Sequence, residues 1–180
     1  MKRRAFLPLA IASPAILGAA SKPWDVVVYG GVPCGIAAAI CSARQGARTL
    51  LLEPERHVGG LSTSGINTAE SEHMLHWTIG GYALEFYERL GRHYGTGKAE
   101  FYFESSVAEK VYLEMLREAG VTVRYGVRVN KANRNGARLT SITLTDGSTV
   151  EGKVFVDAGY EGDLMARAGV AYAYGRESRD

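Results

Sequence analysis

The stretch from Trp24 to Glu53 constrains the fold more than any other part of the chain. Trp24-Asp25-Val26-Val27-Val28-Tyr29 is a β-branched run of the kind found in a strand buried on both faces. Gly30-Gly31-Val32-Pro33-Cys34-Gly35 then turns the chain sharply. Ile36 to Arg44 is rich in alanine, which predicts a helix with small residues where it meets a sheet, and Gly46 ends it. Arg48-Thr49-Leu50-Leu51-Leu52-Glu53 reads as a second buried strand that finishes in an acid. Strand, glycine turn, helix and strand in this order form a βαβ unit, so the predicted class is α/β with a parallel sheet.

Each part of the unit suits the ADP half of a dinucleotide. Gly30 allows the tight turn, and Gly35 lets the helix approach the strand. The N–H groups at the helix start attract a pyrophosphate. Glu53 is placed to accept hydrogen bonds from a ribose hydroxyl. One position departs from the G-x-G-x-x-G pattern: its middle glycine is Val32. Either the ligand sits differently or Val32 points away from it, with Gly31 supplying some of the missing freedom. The bland alternative is a structural βαβ crossover that holds no ligand.

A second glycine motif follows directly, in Pro54-Glu55-Arg56-His57-Val58-Gly59-Gly60-Leu61-Ser62-Thr63-Ser64-Gly65. A simple nicotinamide-binding fold would proceed here to its second helix without a double glycine. Together, GGVPCGIAAAI, EPERHVGGLSTSG and YEGDLMARAGV resemble the FAD-dependent oxidoreductase family. These are flavoproteins of the glutathione reductase type, with secreted bacterial members and a distant similarity to the flavin part of heterodisulfide reductases. The resemblance covers nearly all of residues 24–178. It implies an α/β, Rossmann-like FAD/NAD(P)-binding fold with a parallel sheet and an inserted β-meander, in incomplete form because the family runs to several hundred residues.

The resemblance also implies site residues. Gly30, Gly31 and Gly35 become the phosphate turn, and Val32 a family trait, since relatives commonly carry a small or β-branched residue there. Glu53 becomes the adenosine-ribose acceptor, and Gly59 with Gly60 a second backbone contact. Thr63, Ser64 and Gly65 would lie nearest the isoalloxazine ring, although Thr63 and Ser64 also read as turn residues bonding their own backbone. Val129 matches the stretch whose backbone reads the adenine edge. Asp157, Ala158 and Gly159 stand where relatives have an Ala-Thr-Gly turn beside the cofactor; alternatively they only end a strand.

The remaining pattern fills in the elements. Tyr82 to Tyr94 carries Ala83, Tyr87, Leu90 and Tyr94 at helical spacing. Ser106 with Glu109 has capping-box spacing before a helix striped by Val107, Val111, Met115 and Ala119. Val121 to Tyr125 reads as a third parallel strand. Asn135-Gly136 and Asp146-Gly147 are hairpin turns within the meander, and Val154 to Ala158 the last strand. His73 and His76 have HxxH spacing without a third ligand, so they read as loop histidines or acid–base candidates, not as metal ligands.

Charge and cysteine content exclude several functions. Residues 1–20 hold Lys2, Arg3 and Arg4 and no acid, which leaves 18 basic against 19 acidic residues in the body. A body near neutrality has no basic stripe for nucleic acid. The basic start, the apolar run to Leu17 and Gly18-Ala19-Ala20 read as a cleavable signal peptide. Arg3-Arg4 suits the twin-arginine export route, ordinary secretion or an uncleaved anchor being the alternatives, and predicts a periplasmic or secreted protein. The apolar run is too short for a stable membrane span. Cys34 and Cys41, seven apart on one helix, are too distant for a disulfide and read as core fillers. Two cysteines cannot hold a four-cysteine iron–sulfur cluster, and no metal set is evident.

These observations predict residues 21–180 to be the FAD-binding portion of an oxidoreductase exchanging hydride between flavin and a small molecule, with a carbohydrate-related substrate suggested by analogy alone. The expected affinity of this chain alone for FAD is low. A non-catalytic dinucleotide-binding module and an NAD-dependent dehydrogenase are the alternatives. The pattern assigns no catalytic base, electron acceptor or oligomeric state.

Overall fold

The computed structural model describes residues 22–66, 76–173 and 175–176. Residues 1–20, expected to be a targeting segment, His73 and the side chain of His76 lie outside them. The elements in order are β1 (Trp24–Tyr29), α1 (Pro33–Arg44), β2 (Thr49–Glu53), α2 (Gly81–Tyr94), α3 (Ser105–Glu118), β3 (Thr122–Tyr125), β4 (Val129–Asn135), β5 (Arg138–Leu144), β6 (Thr149–Asp157) and α4 (Asp163–Arg167).

The six strands form one sheet in the order β3-β2-β1-β6-β5-β4. β1, β2, β3 and the end of β6 run parallel, with Val28 opposite Leu51 and Val156. β4, β5 and the start of β6 form the antiparallel meander. Its two hairpins fall at the predicted glycine turns. β6 differs from expectation in being one continuous strand: Thr149, Val150 and Glu151 pair with β5, and Gly152 onward pairs with β1. Meander and last strand are therefore a single element that changes partner.

Strand alternation divides the core in two. Val28 and Leu51 point to the face covered by α1, α2 and α3, where they meet Ile36, Ile40, Phe86, Leu90, Tyr112 and Met115. Val27, Tyr29, Leu50 and Leu52 point to the opposite face, against Val129, Ile142, Leu144, Val150 and Leu164. Because β1 and β2 are buried on both faces, their near-continuous apolar runs follow. An ion-pair chain joins the three helices: Arg44 meets Glu85 at 2.6 Å, Glu85 meets Arg89 at 2.8 Å, and Arg89 meets Glu118 at 2.6 Å. Hydrogen bonding from Arg44, with Arg89, holds the Glu85 carboxyl down at about 2 against the penalty of partial burial.

Two local expectations are corrected. Cys34 and Cys41 are exposed, not core; α1 turns Gly35, Ile36, Ala39 and Ile40 inward instead, and a seven-residue spacing keeps both thiols on the other side. The capping box at Ser106 and Glu109 does not form. α3 begins two residues earlier, with Glu104 in the capping position and no side-chain cap. Ser105 Oγ accepts the Gly65 N–H at 3.1 Å, and Tyr94 clamps Glu104 by donating to its carboxylate and accepting its N–H.

Candidate functional site

A cleft of about 450 Å³ opens at the C-terminal ends of β1, β2 and β6. This is where an open α/β sheet forms a crevice, because the connections on either side of β1 run in opposite directions. Its walls include Tyr29 and Gly30 from β1 and its turn, Val32 before α1, Glu53 to Glu55 after β2, and Gly60, Leu61 and Ser64 from the double-glycine segment. Arg128, Gly159, Tyr160, Glu161 and Asp163 close the other side.

The floor depends on the absence of side chains. Gly30 has φ +101°, and a Cβ on it would stand 2.7 Å from the Gly159 nitrogen. A Cβ on Gly35 would stand 1.9 Å from the Gly30 carbonyl oxygen, so α1 rests directly on the turn. Gly31 donates its N–H to Glu53 Oε2 at 2.6 Å, and the Glu55 N–H reaches Glu53 Oε1 at 2.6 Å. Glu53 is thus a buried carboxylate held by two backbone donors, with further lone pairs to offer. Val32, the residue in place of the middle glycine, is extended and largely buried. Its Cγ1 lies 2.9 Å from where a Cβ of Gly60 would be. The bulk at position 32 is accommodated by the missing side chain at position 60.

The double-glycine segment is a short 3-10 turn, Gly60–Thr63, entered through left-handed Gly59. Thr63 Oγ1 donates to the Val58 carbonyl at 2.7 Å, and Ser64 Oγ to the Gly60 carbonyl at 2.8 Å. Both hydroxyls therefore bond their own backbone. Ser64 still lines the cleft, where His57 Nε2 sits 3.2 Å from its Oγ. The Leu61 N–H donates to the Tyr160 hydroxyl at 3.0 Å, tying this turn to the segment after β6.

Gly30, Val32, Glu53, Gly60, Ser64 and Gly159 are thus brought together on the cleft wall. Gly31, Gly35, Gly59 and Thr63 support it from behind. Asp157 holds the far side, its Oδ1 accepting the Gly159 N–H at 3.1 Å and its Oδ2 the Met165 N–H at 2.7 Å. Ala158 donates its N–H to the Tyr29 carbonyl at 2.8 Å. Val129 is buried in the core and does not line the cleft; its N–H lies 3.4 Å from the Tyr29 hydroxyl, and the neighbouring Arg128 is the residue on the wall. Burial pushes the Tyr29 hydroxyl above its usual range, opposed by that N–H.

The sequence reading missed Tyr29, Glu55, His57, Arg128, Tyr160, Glu161 and Asp163 as lining residues. Tyr160, Glu161 and Asp163 sit inside the quoted YEGDL motif, which was the available signal. Arg128, ion-paired with Glu55 across the rim, adjoins Val129 in the stretch that the resemblance singled out, and only the fold decides which of the two reaches the rim.

The cleft also fits an anionic dinucleotide by its donors. Arg128 is its only lysine or arginine among the described residues, against the carboxylates of Glu53, Glu55, Glu161 and Asp163, so the fit rests on backbone donors and not on side-chain charge. The first turn of α1 contains no acid, and Val32 offers no side-chain cap, so the positive helix end is left uncompensated beside the turn. At Gly159 a Cβ would meet nothing closer than Asp157 Oδ1 at 3.5 Å, which leaves the cleft side open. A pyrophosphate here would be held by backbone N–H groups, and a ribose by Glu53.

The family model for FAD dependent oxidoreductase matches residues 25–180. The chain belongs to this family. FAD is the cofactor that membership assigns, and the described residues contain no group of metal ligands. A search of curated proteins by sequence gave no match. Among solved structures, Thermovibrio ammonificans THI4 is similar at a TM-score of 0.55 and 19% identity, over 83% of this chain and 64% of that one. L-proline dehydrogenase from P. horikoshii has a TM-score of 0.62 at 12% identity, over 83% of this chain and 56% of that one. The halogenase PltM, in complex with FAD, has a TM-score of 0.55 at 14% identity, over 82% and 36%. These likenesses establish the fold, an FAD/NAD(P)-binding α/β architecture. The chain spans less than two thirds of the length of each of these structures.

Proposed function

We propose that the cleft holds FAD and that the protein uses it to exchange a hydride with a small-molecule substrate. The observation that carries this is the cleft floor: at Gly30, Gly31 and Gly60 a Cβ would strike backbone or a functional side chain, and the buried Glu53 carboxylate stands beside them. Bound flavin supplies the redox chemistry. The chain's own residues bind and orient. Backbone N–H groups at the start of α1 face the pyrophosphate, Glu53 accepts a ribose hydroxyl, and the turn Gly60–Thr63 carries the chain toward the ring. Gly159 and Tyr160 bound the opposite side. Asp157 positions Gly159, and Tyr29 supports Val129 near the adenosine end.

A second reading is a dinucleotide-holding module without turnover, since the cleft floor is built from backbone groups and a carboxylate suited to binding. Fluorescence titration separates the possibilities. Flavin emission quenched to saturation by the protein, without competition from NAD, supports FAD; saturable NAD binding in its place overturns it. Flavin that binds and is then bleached by a reducing substrate supports turnover, and flavin that never reduces supports the module. Residues 1–20 are proposed to direct export, which predicts a mature N-terminus at Ser21 when the periplasmic protein is sequenced.

A further inference from the structure

Four carboxylates, those of Glu53, Glu55, Glu161 and Asp163, line the cofactor cleft against one cation, Arg128, which is already ion-paired with Glu55. An anionic ligand therefore depends on neutral donors. Besides backbone N–H groups, the wall offers four neutral side-chain donors: Tyr29, His57, Ser64 and Tyr160. Three of them are spent. Tyr29 is buried, with its hydroxyl at the Val129 N–H. Ser64 Oγ gives its one proton to the Gly60 carbonyl at 2.8 Å. It can then only accept from His57 Nε2, 3.2 Å away, and a neutral imidazole has no second proton to give.

The Tyr160 hydroxyl is different. It accepts the Leu61 N–H at 3.0 Å and, among the described residues, donates to nothing. Tyr160 is 57% exposed, and its hydroxyl end lies against Gly60 and Leu61, both on the cleft wall. That approach needs Gly60: a Cβ there would collide with the Tyr160 oxygen and stand 2.9 Å from Val32 Cγ1. Tyr160 and Val32 thus converge on one glycine, and Val32 is the residue that opens α1. The uncommitted O–H stands beside the helix start, where backbone N–H groups gather. Accepting one hydrogen bond also strengthens the next one given.

We propose that Tyr160 binds the ligand directly, relaying the Leu61 N–H through its hydroxyl to an oxygen of the pyrophosphate. The assignment rests on the reading of the cleft as a dinucleotide site. It replaces a contact from the double-glycine backbone with one from a side chain 99 residues away, in the segment after β6.

The test is titration of the full chain with ADP and with FAD. Tyr160→Phe should weaken both about tenfold, the worth of one hydrogen bond to a charged oxygen. Because this substitution also takes an acceptor from Leu61, a second measurement separates binding from positioning. A fluorinated tyrosine at position 160 keeps the ring and both hydrogen bonds but ionises at a lower pH than tyrosine. As pH rises through that ionisation, ADP affinity should fall about tenfold relative to the unaltered chain, since a phenolate cannot donate and repels phosphate. A hydroxyl that only accepts the Leu61 N–H would become a better acceptor, and affinity would hold or rise. That result, or unchanged ADP and FAD affinity in Tyr160→Phe, would overturn the assignment. ADP binding that depends on Tyr160, without FAD binding, sinks the flavin reading alone; no binding of either sinks both. If Tyr160→Phe does not fold, the fluorinated tyrosine decides.

Discussion

Between Gly30 and Gly60 the chain packs backbone against backbone, whereas the α2–α3 layer packs ring against ring. At the cleft floor α1 sits on the Gly30 carbonyl, and the Gly31 N–H touches the Glu53 carboxylate. In the helical layer Phe86 stacks on Tyr112, meets Phe103 edge-on at 5.9 Å, and Tyr87 tilts against Phe101 at 4.4 Å. The first region tolerates no added atom, and the second no missing one. Only the first presents backbone donors to a ligand, so damage there should reach binding as well as stability.

The largest expected effect tests the floor. Gly35→Ala places a methyl against a carbonyl oxygen that the turn cannot move, and should destabilise the protein by about 4 kcal/mol. Urea unfolding measures it, and a loss under about 1 kcal/mol would break the comparison. Phe86→Ala should follow at about 3 kcal/mol, from lost burial and an unfilled space beside Tyr112. FAD affinity of the folded protein should stay the same there, which distinguishes the two regions.

Glu53→Gln keeps the shape but removes the charge that two backbone donors share and that the proposed ribose contact would use. FAD should bind about tenfold more weakly, or about 1.4 kcal/mol, and the melting temperature should fall too, because the amide nitrogen of Gln would face one of the two backbone N–H donors. Unaltered FAD affinity would show that the ribose lies elsewhere.

The smallest effect lies at the edge of the helical layer. The Glu85 carboxyl is depressed from 4.5 to about 2, so in this window the unfolded chain binds more protons than the folded one. Its contribution is therefore fully present above pH 4.5 and is lost as pH falls toward 2. Solvent around the pair limits it to about 1 kcal/mol. Urea midpoints at pH 5 and pH 3 should fall less for Glu85→Gln than for the unaltered protein.

How much was legible differs between the regions for the same physical reason. The β1–α1–β2 unit was readable because its constraints are local: β-branched runs, a turn that needs left-handed Gly30, an alanine-rich helix and a terminal acid. Gly59 and Gly60 were readable for the same reason. The helical layer was read only as amphipathic stripes, and the stripes were partly misplaced. Ala83 was expected inside and is exposed, while Phe86, Ala108, Tyr112 and Leu116 are buried without having been singled out. Helical periodicity defines a face to within about one residue, and packing between helices selects the residue. Tyr94 and Ser105 overrode the predicted capping box because each had a partner distant in sequence.

From the sequence alone came the fold class, the order of strands and turns, the family and most of the cleft floor, since glycine placement and residue alternation act over a few neighbours. The tertiary structure decided the rest. It set Val32 over Gly60, brought Arg128 and Tyr160 to the rim, turned both cysteines outward and stacked Phe86 on Tyr112. Those outcomes join segments up to about a hundred residues apart, and no local pattern encodes which side chains meet once the sheet closes.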